Sequence, residues 1–295
     1  MNLQPDEFEQ IRRFLHGTSG LALTAGKEYL VRTRLEPLLH KYQLPSFAAL
    51  IARLGAPHSH AFRDEVIDAM ATRETSFNRD GHPFEELRRV ILPLLIQVFN
   101  DRRQQSGIPH PRIRIWSVAA STGQEPYSVA MAILDFLSAP SHASWTPDHF
   151  RILATDLSET SLQFARAGCY STAEVDRGVT PGQKLRYFVQ RSHELVISPE
   201  LRRLVEFRRL NVLHNAGDLA GFDLVLCRNL LIYLDEAARS AVCRRLAASL
   251  NPGGILLLGA AEHLPAGFDA MFSQRSFGRT IGFQRATPTE PLRAK

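Results

Sequence analysis

The chain has little of what builds cross-linked or metal-centred proteins. Its 295 residues include three cysteines, Cys169, Cys227 and Cys243, an odd number with no C-x-x-C spacing. That excludes a disulfide framework or a zinc ribbon and predicts small buried residues in a reducing compartment. None of the eleven histidines stands in H-x-x-x-H or H-E-x-x-H, so no catalytic metal is expected. A G-x-S-x-G nucleophile elbow is missing, which argues against a hydrolase of that type. No run of 18 apolar residues occurs, so no membrane insertion is expected. The segment Met1-Asn-Leu-Gln-Pro-Asp-Glu7 has neither a basic start nor an apolar stretch, and the expected location is cytoplasmic. Phosphate-cradling glycine patterns are lacking too: neither G-x-x-x-x-G-K-[ST] nor a complete G-x-G-x-x-G is present.

What remains is an ordinary globular composition, 44% hydrophobic, with a net charge of +5. The basic residues fall in scattered pairs, such as Arg12-Arg13, Arg202-Arg203 and Arg244-Arg245, with no basic tail or aromatic-interleaved stripe. No nucleic-acid partner is expected, and an acidic protein partner explains the charge at least as well.

Apolar residues up to position 70 repeat at helical spacing only. Phe8, Ile11, Phe14 and Leu15 form one face, Val31, Leu35, Leu38 and Leu39 a second. Phe47, Leu50 and Leu54, then Phe62, Val66 and Met70, complete four short helices. Thr24 is the expected cap of the second helix. Residues 1–71 therefore read as an all-helical domain and the polar stretch 72–81 as a linker. A longer helix with Phe84, Leu87, Ile91, Leu95 and Val98 on one face follows, kinked at Pro93. From residue 112 strands (112–118, 151–155, 205–210, 222–227, 254–259) alternate with helices (125–137, 158–167, 235–249). That order predicts an α/β domain over 82–286 with a mostly parallel sheet. A hairpin around Gly278 should close the sheet edge. Residues 171–204 read as a small antiparallel insertion and 287–295 as a disordered tail.

The most informative stretch is Arg112–Ser128. A buried strand breaks into the small residues Ala119 to Gly123 and restarts as a helix at Glu125. Strand, tight turn and helix bring backbone N–H groups against a nucleotide-like ligand. The acid at the helix start disfavours an anionic ligand. A nucleoside carrying positive charge fits better, and S-adenosylmethionine is the common one.

Further polar residues stand at strand ends, where open parallel sheets bind ligands. Asp156 ends the second strand and suits the two hydroxyls of a ribose, or else caps the next helix. Arg228, Asn229 and Tyr233 follow the fourth; they face a ligand, or Arg228 pairs with an acid and Tyr233 packs in the core. Asn211 either reads an adenine edge or serves a turn. In the linker, Arg73 and Arg79 can hold a carboxylate, although a solvated tether would have the same composition. The Asn-Pro-Pro-Tyr of amide-nitrogen methyltransferases is missing.

Taken in order, Thr72-Arg-Glu-Thr-Ser-Phe-Asn-Arg79, Trp116–Ser128, Ala154-Thr-Asp156, Cys227-Arg-Asn-Leu-Leu-Ile-Tyr233, Leu250-Asn-Pro-Gly-Gly254 and Glu262 resemble a CheR-type chemotaxis receptor methyltransferase. The resemblance covers nearly the whole chain and implies a protein-glutamate O-methyltransferase that uses S-adenosylmethionine and releases S-adenosylhomocysteine. It implies a class I methyltransferase domain carrying the small antiparallel β-subdomain. The implied cofactor contacts are Arg73, Thr75, Arg79, Glu125, Asp156, Asn211, Val212, Arg228 and Asn229, with Tyr233 and Arg79 nearest the chemistry. The implied partners are the cytoplasmic domains of methyl-accepting receptors, with a receptor C-terminal peptide on the β-subdomain, and the enzyme would act as a monomer. Lys27, Arg34 and Lys41, spaced by seven, offer a basic docking face. Two positions depart from the family pattern. Asn78 replaces a second aromatic and would loosen the linker, and Gln124 replaces an acid.

Competing classes are a fold that lost its reaction, a methyltransferase of nucleic acid or small molecules, and a nucleotide-dependent oxidoreductase. The retained Glu125, Asp156, Arg228 and Tyr233 oppose the first, and the poor glycine fingerprint opposes the last. A glutamate is ionised at neutral pH, so attack on a sulfonium methyl needs no general base. Positioning then dominates, and it contributes ~7–11 kcal/mol in favourable cases. Asp156→Ala is expected to abolish cofactor binding with the fold retained; calorimetric titration checks this, and unchanged affinity would sink the assignment.

Overall fold

The computed structural model describes residues 1–106, 112–214 and 219–287. The four helices read from periodicity are α1 (Pro5–Ser19), α2 (Glu28–Lys41), α3 (Phe47–Gly55) and α4 (His60–Met70). Their faces meet in one core around Ile11, Leu35, Phe47, Leu50 and Val66. Proline at N1 and a Gln4 N–H to Glu7 carboxylate bond (2.8 Å) start α1. Thr24 does not cap α2. A turn at Ala25 and Gly26 separates them, so the helix begins at Glu28 with Lys27 at the cap position.

The next helical stretch is α5 (His82–Glu86), a π-turn over Leu87–Ile91, and α6 (Leu92–Ser106). The irregularity expected at Pro93 lies in the preceding turn. Pro93 has no N–H for the Arg89 carbonyl, and the chain widens so that Leu92 N–H reaches Leu87 O. Phe99, not Val98, continues the buried face.

The α/β region then runs β1 (Ile113–Val118), α7 (Gln124–Leu137), β2 (Phe150–Asp156) and α8 (Glu159–Ala167). The insertion follows as β3 (Cys169–Ser171), α9 (Thr172–Asp176), α10 (Pro181–Tyr187), β4 (Phe188–Arg191), β5 (Glu194–Ile197) and α11 (Pro199–Leu204). Last come β6 (Val205–Arg209), β7 (Phe222–Cys227), α12 (Glu236–Ser249), β8 (Leu250–Leu258), β9 (Phe272–Phe277) and β10 (Thr280–Arg285). The main sheet has the order β6-β2-β1-β7-β8-β10-β9, with five parallel strands and an antiparallel terminal hairpin. Along β1, Ile113 and Ile115 enter one core with α7, while Trp116 and Val118 enter the opposite core with α12. Burial on both faces is what a parallel sheet demands. The chain order reverses between β1 and β7, so a crevice opens at their carboxyl ends.

The insertion is an antiparallel sheet of order β3-β5-β4. It carries three short helices that the pattern of apolar residues does not predict. The tail expected from 287 lies, from residue 288 on, outside the described residues. Cys227 and Cys243 are buried as expected, but Cys169 is only partly so.

The linker is no loose tether. Phe77 is fully buried and meets Tyr170 and Phe188 edge to face, with ring centroids 4.9 and 5.5 Å apart. Asn78, expected to loosen this segment, fastens it instead. Its N–H donates to Ser128 Oγ (2.8 Å), and its amide donates to Gly178 O (2.8 Å) and Gln183 Oε1 (3.3 Å). A Cβ on Gly178 would lie 1.8 Å from Phe77 O, so that close approach requires glycine. Phe77→Ala is expected to cost about 3–5 kcal/mol. Chemical denaturation measures it, and a loss under about 1 kcal/mol would show that the linker is not packed as described.

Candidate active site

The turn after β1 is built from strained backbone. Ala119 (φ 56°) and Ser121 (φ 50°) join Gly123 (φ 96°) in the left-handed region. A non-glycine residue there costs about 1–3 kcal/mol and persists only where its surroundings hold it. Here the neighbouring strand does the holding. Ala120 N–H donates to Thr155 O (2.9 Å) and Ser121 N–H to Asp156 Oδ2 (2.8 Å). Trp116 Nε1 donates to Thr155 Oγ1 (2.9 Å), and Tyr170 Oη donates to Thr122 O (2.7 Å).

Asp156 is therefore first a fastener. Its second oxygen accepts from Ser158 N–H at 2.8 Å, while Ser158 itself caps α8 through Ser161 N–H. Burial raises the Asp156 pKa against those N–H donors. A carboxylate accepts at about four sites, so room remains for two ligand hydroxyls. Asp156→Ala would also strip two N–H groups of their acceptor, and Asp156→Asn is the milder variant.

Glu125 and Arg228 form a buried pair, with Nη1 to Oε2 at 3.2 Å. Ser117 Oγ donates to the other Glu125 oxygen at 2.7 Å. Burial still raises the Glu125 pKa despite Arg228 and Ser117. Arg228 Nη2 also reaches Asp80 Oδ2 (2.7 Å) and Arg79 O (2.9 Å). The expected repulsion of anions by Glu125 is thus muted by its partner. Arg228 clamps the linker to the sheet, and Asp80, an acid the sequence reading passed over, completes the clamp.

Asn211 is likewise engaged. Its amide donates to Thr18 O (2.7 Å) and accepts from Leu213 N–H (3.0 Å), which joins the sheet end to the helical bundle more than it frees an adenine reader. Tyr233 O accepts from Ala22 N–H (2.8 Å), beside a bridge between Leu21 and Leu234. On the bundle, Arg34 donates to Met70 O (2.6 Å) and Lys41 pairs with Glu65 (2.6 Å). The expected basic face thus keeps only Lys27 of its three members without such a tie among the described residues.

The strand ends, the linker and part of the bundle surround one pocket of about 1260 Å³, part of it open to solvent. Its lining includes Arg73, Thr75 and Arg79 from the linker, Glu125 from α7 and Asp156 from β2. Asn211, Val212, Arg228, Asn229 and Tyr233 line it from the other strand ends. Every residue nominated from sequence therefore reaches the same cavity. The sequence did not indicate that Leu15, Ser19, Leu21 and Met70 of the bundle form a wall of it. Three carboxylates (Glu74, Glu125, Asp156) and three guanidiniums (Arg73, Arg79, Arg228) belong to the lining. Mixed charge and apolar walls suit a nucleoside bearing an amino-acid group, and Arg228 Nε is buried with no hydrogen-bond partner among the described residues. The residues fit S-adenosylmethionine. Among the described residues no His, Cys, Asp and Glu cluster has metal-ligand geometry.

Comparison with known proteins agrees with this chemistry. Residues 6–71 match the family model of the CheR methyltransferase all-alpha domain, and residues 73–281 match the CheR methyltransferase SAM-binding domain. The chain is 39% identical to chemotaxis protein methyltransferase 1 of Pseudomonas aeruginosa over 88% of its length and 90% of that protein's. It is 38% identical to chemotaxis protein methyltransferase Cher2 of Pseudomonas putida, with the same shares covered. Against the chemotaxis protein methyltransferase of Vibrio parahaemolyticus the identity is 37%, over 90% and 91% of the two chains. With two family models covering bundle and sheet in sequence, the chain belongs to the CheR methyltransferase family of S-adenosylmethionine-dependent enzymes.

Proposed function

We propose that this enzyme esterifies glutamate side chains on the cytoplasmic domains of methyl-accepting chemotaxis receptors, leaving S-adenosylhomocysteine. The observation that carries this is the pocket at the sheet's switch point, whose lining gathers Asp156, Glu125 and the linker arginines. Asp156 would hold the ribose hydroxyls. Arg73 and Arg79 would hold the cofactor carboxylate, with Thr75 beside them. Glu125, Asn211, Val212, Arg228 and Asn229 would complete the binding surface, and Tyr233 with Arg79 would flank the reacting carboxylate. S-adenosylmethionine supplies an electrophilic methyl when bound. The protein's own residues align the incoming glutamate and exclude water, because an ionised carboxylate needs no proton removed.

Residues 1–71 would act as a receptor-facing bundle that also walls the pocket, 72–81 as the hinge-side strap, and 82–286 as the catalytic body. The β-subdomain offers the open edge strand β4, with Val189 about half exposed, where an extended receptor tail can add as a further strand. The enzyme would work as a cytoplasmic monomer; among the described residues no helix is long and apolar enough to cross a membrane.

Transfer of labelled methyl to receptor cytoplasmic fragments tests this directly. Base-labile label on glutamate is the expected result, and a receptor-free or base-stable product would overturn it. Titration makes a second expectation. In the free protein both Glu125 and Asp156 hold their protons to higher pH than ordinary carboxyls. A cationic ligand prefers them ionised, so affinity for S-adenosylmethionine should weaken as pH falls, beginning above the ordinary values of 4.5 and 3.8. The same raised values mean that their effect on folding stability is favourable at low pH and is lost as pH rises through the folded pKa. Calorimetry from neutral pH down toward those ordinary values should show tighter S-adenosylmethionine binding at the upper end; a flat profile would remove these acids from the site.

A further inference from the structure

Glu262 is buried at 6% exposure in the loop after β8, outside the pocket lining. Among the described residues no cation pairs with it. Its carboxylate instead accepts three backbone N–H groups: Asn229 (2.7 Å) and Gly259 (2.8 Å) on Oε2, and Ile232 (3.2 Å) on Oε1. Such bonds to a charged acceptor are the stronger kind, and they fix backbone, not side chains. Two of them grip the stretch from Asn229 to Tyr233, near both its ends. Asn229 is a non-glycine residue at φ 59°, a conformation that needs outside support. The packing is close: a Cβ on Gly259 would stand 2.7 Å from Glu262 Oε2 and 3.1 Å from Asn229 N. The second grip falls within the short 3-10 turn Leu231–Tyr233, which delivers Tyr233 to the pocket.

We infer that Glu262 is a positioning residue for methyl transfer, acting through the backbone of Asn229–Tyr233 to set Tyr233 against the reacting carboxylate. This rests on the methyltransferase function proposed above. Arg228 is held separately, by Glu125, Asp80 and Arg79 O, so loss of Glu262 leaves the Arg228 clamp its own supports and falls on Tyr233 and on Asn229 of the cofactor surface.

Glu262→Gln tests it. One oxygen becomes an NH2 group, which must then face at least one of the three N–H donors. Measured on the full chain well below its melting temperature, kcat should fall about 10- to 100-fold, a larger factor than the rise in the S-adenosylhomocysteine Kd. Amide exchange at Asn229, Ile232 or Gly259 should quicken without general acceleration. In a Tyr233→Phe background the same change should cost less than about threefold, since coupled residues are not additive. An unchanged kcat, a Kd that rises in step with the loss of kcat, or an undiminished loss in the Tyr233→Phe background each overturns the inference. Should Glu262→Gln not fold, Gly259→Ala, which crowds the same contact, carries the same expectations. If the parent protein transfers no methyl to receptor, the function proposed above fails instead; the inference falls with it as a statement about catalysis, and exchange alone then reports whether Glu262 holds the loop.

Discussion

The site depends on one buried cation. Arg228, its side chain 2% exposed, sits between Glu125 and Asp80 and also donates to Arg79 O. Through these contacts the end of β7, the start of α7 and the end of the linker become one unit. Removing one partner of such a pair costs about 3–5 kcal/mol, because the other charge is left buried. Here the loss would fall on Glu125, whose pKa burial already raises. A lysine offers a point charge and cannot present the planar fork that bridges acids on two sides. The guanidinium is therefore specified by geometry as much as by charge.

Much of this was legible in the sequence because chemistry at strand ends leaves a local signature. Asp156, Arg228 and Asn229 each follow an apolar strand, and one sheet gathers them at one edge. The four-helix start follows from periodicity, the mostly parallel sheet from the alternation of strands and helices, and the terminal hairpin from Gly278 between two strands. What escaped detection depends on contacts distant in sequence. Asn78 looked like a weak substitute for an aromatic ring, yet its partners lie 50 to 105 residues away. Arg228 was open to two readings, a ligand contact or the partner of an acid, and the acids it meets lie 103 and 148 residues away. The helices α9, α10 and α11 are too short for periodicity to show. Their starts were nonetheless readable: Ser171 with Glu174, Thr180 with Gln183, and Ser198 before Pro199 are helix caps.

The helical bundle is bound into the same scheme. Asn211 holds Thr18, Tyr233 O holds Ala22, and Arg209 forms a two-pronged pair with Asp64. Thr160 donates to Asp68 at 2.6 Å, adding α8 to the seam. Bundle residues complete the pocket wall, and the segment after α1 bonds directly to Tyr233.

A reaction that needs no proton transfer places its demand on alignment, and the polar groups are distributed accordingly. Asp156, Glu262 and Asn211 all accept backbone N–H groups, and each holds a loop that borders the pocket. Ala119, Ser121 and Asn229 sit in left-handed backbone within those loops. Strain of that kind survives only where hydrogen bonds overdetermine it. An enzyme working by acid–base exchange would concentrate such groups on the substrate. This one directs them at its own backbone, as expected where a misplacement of about 1 Å can cost a hundredfold in rate.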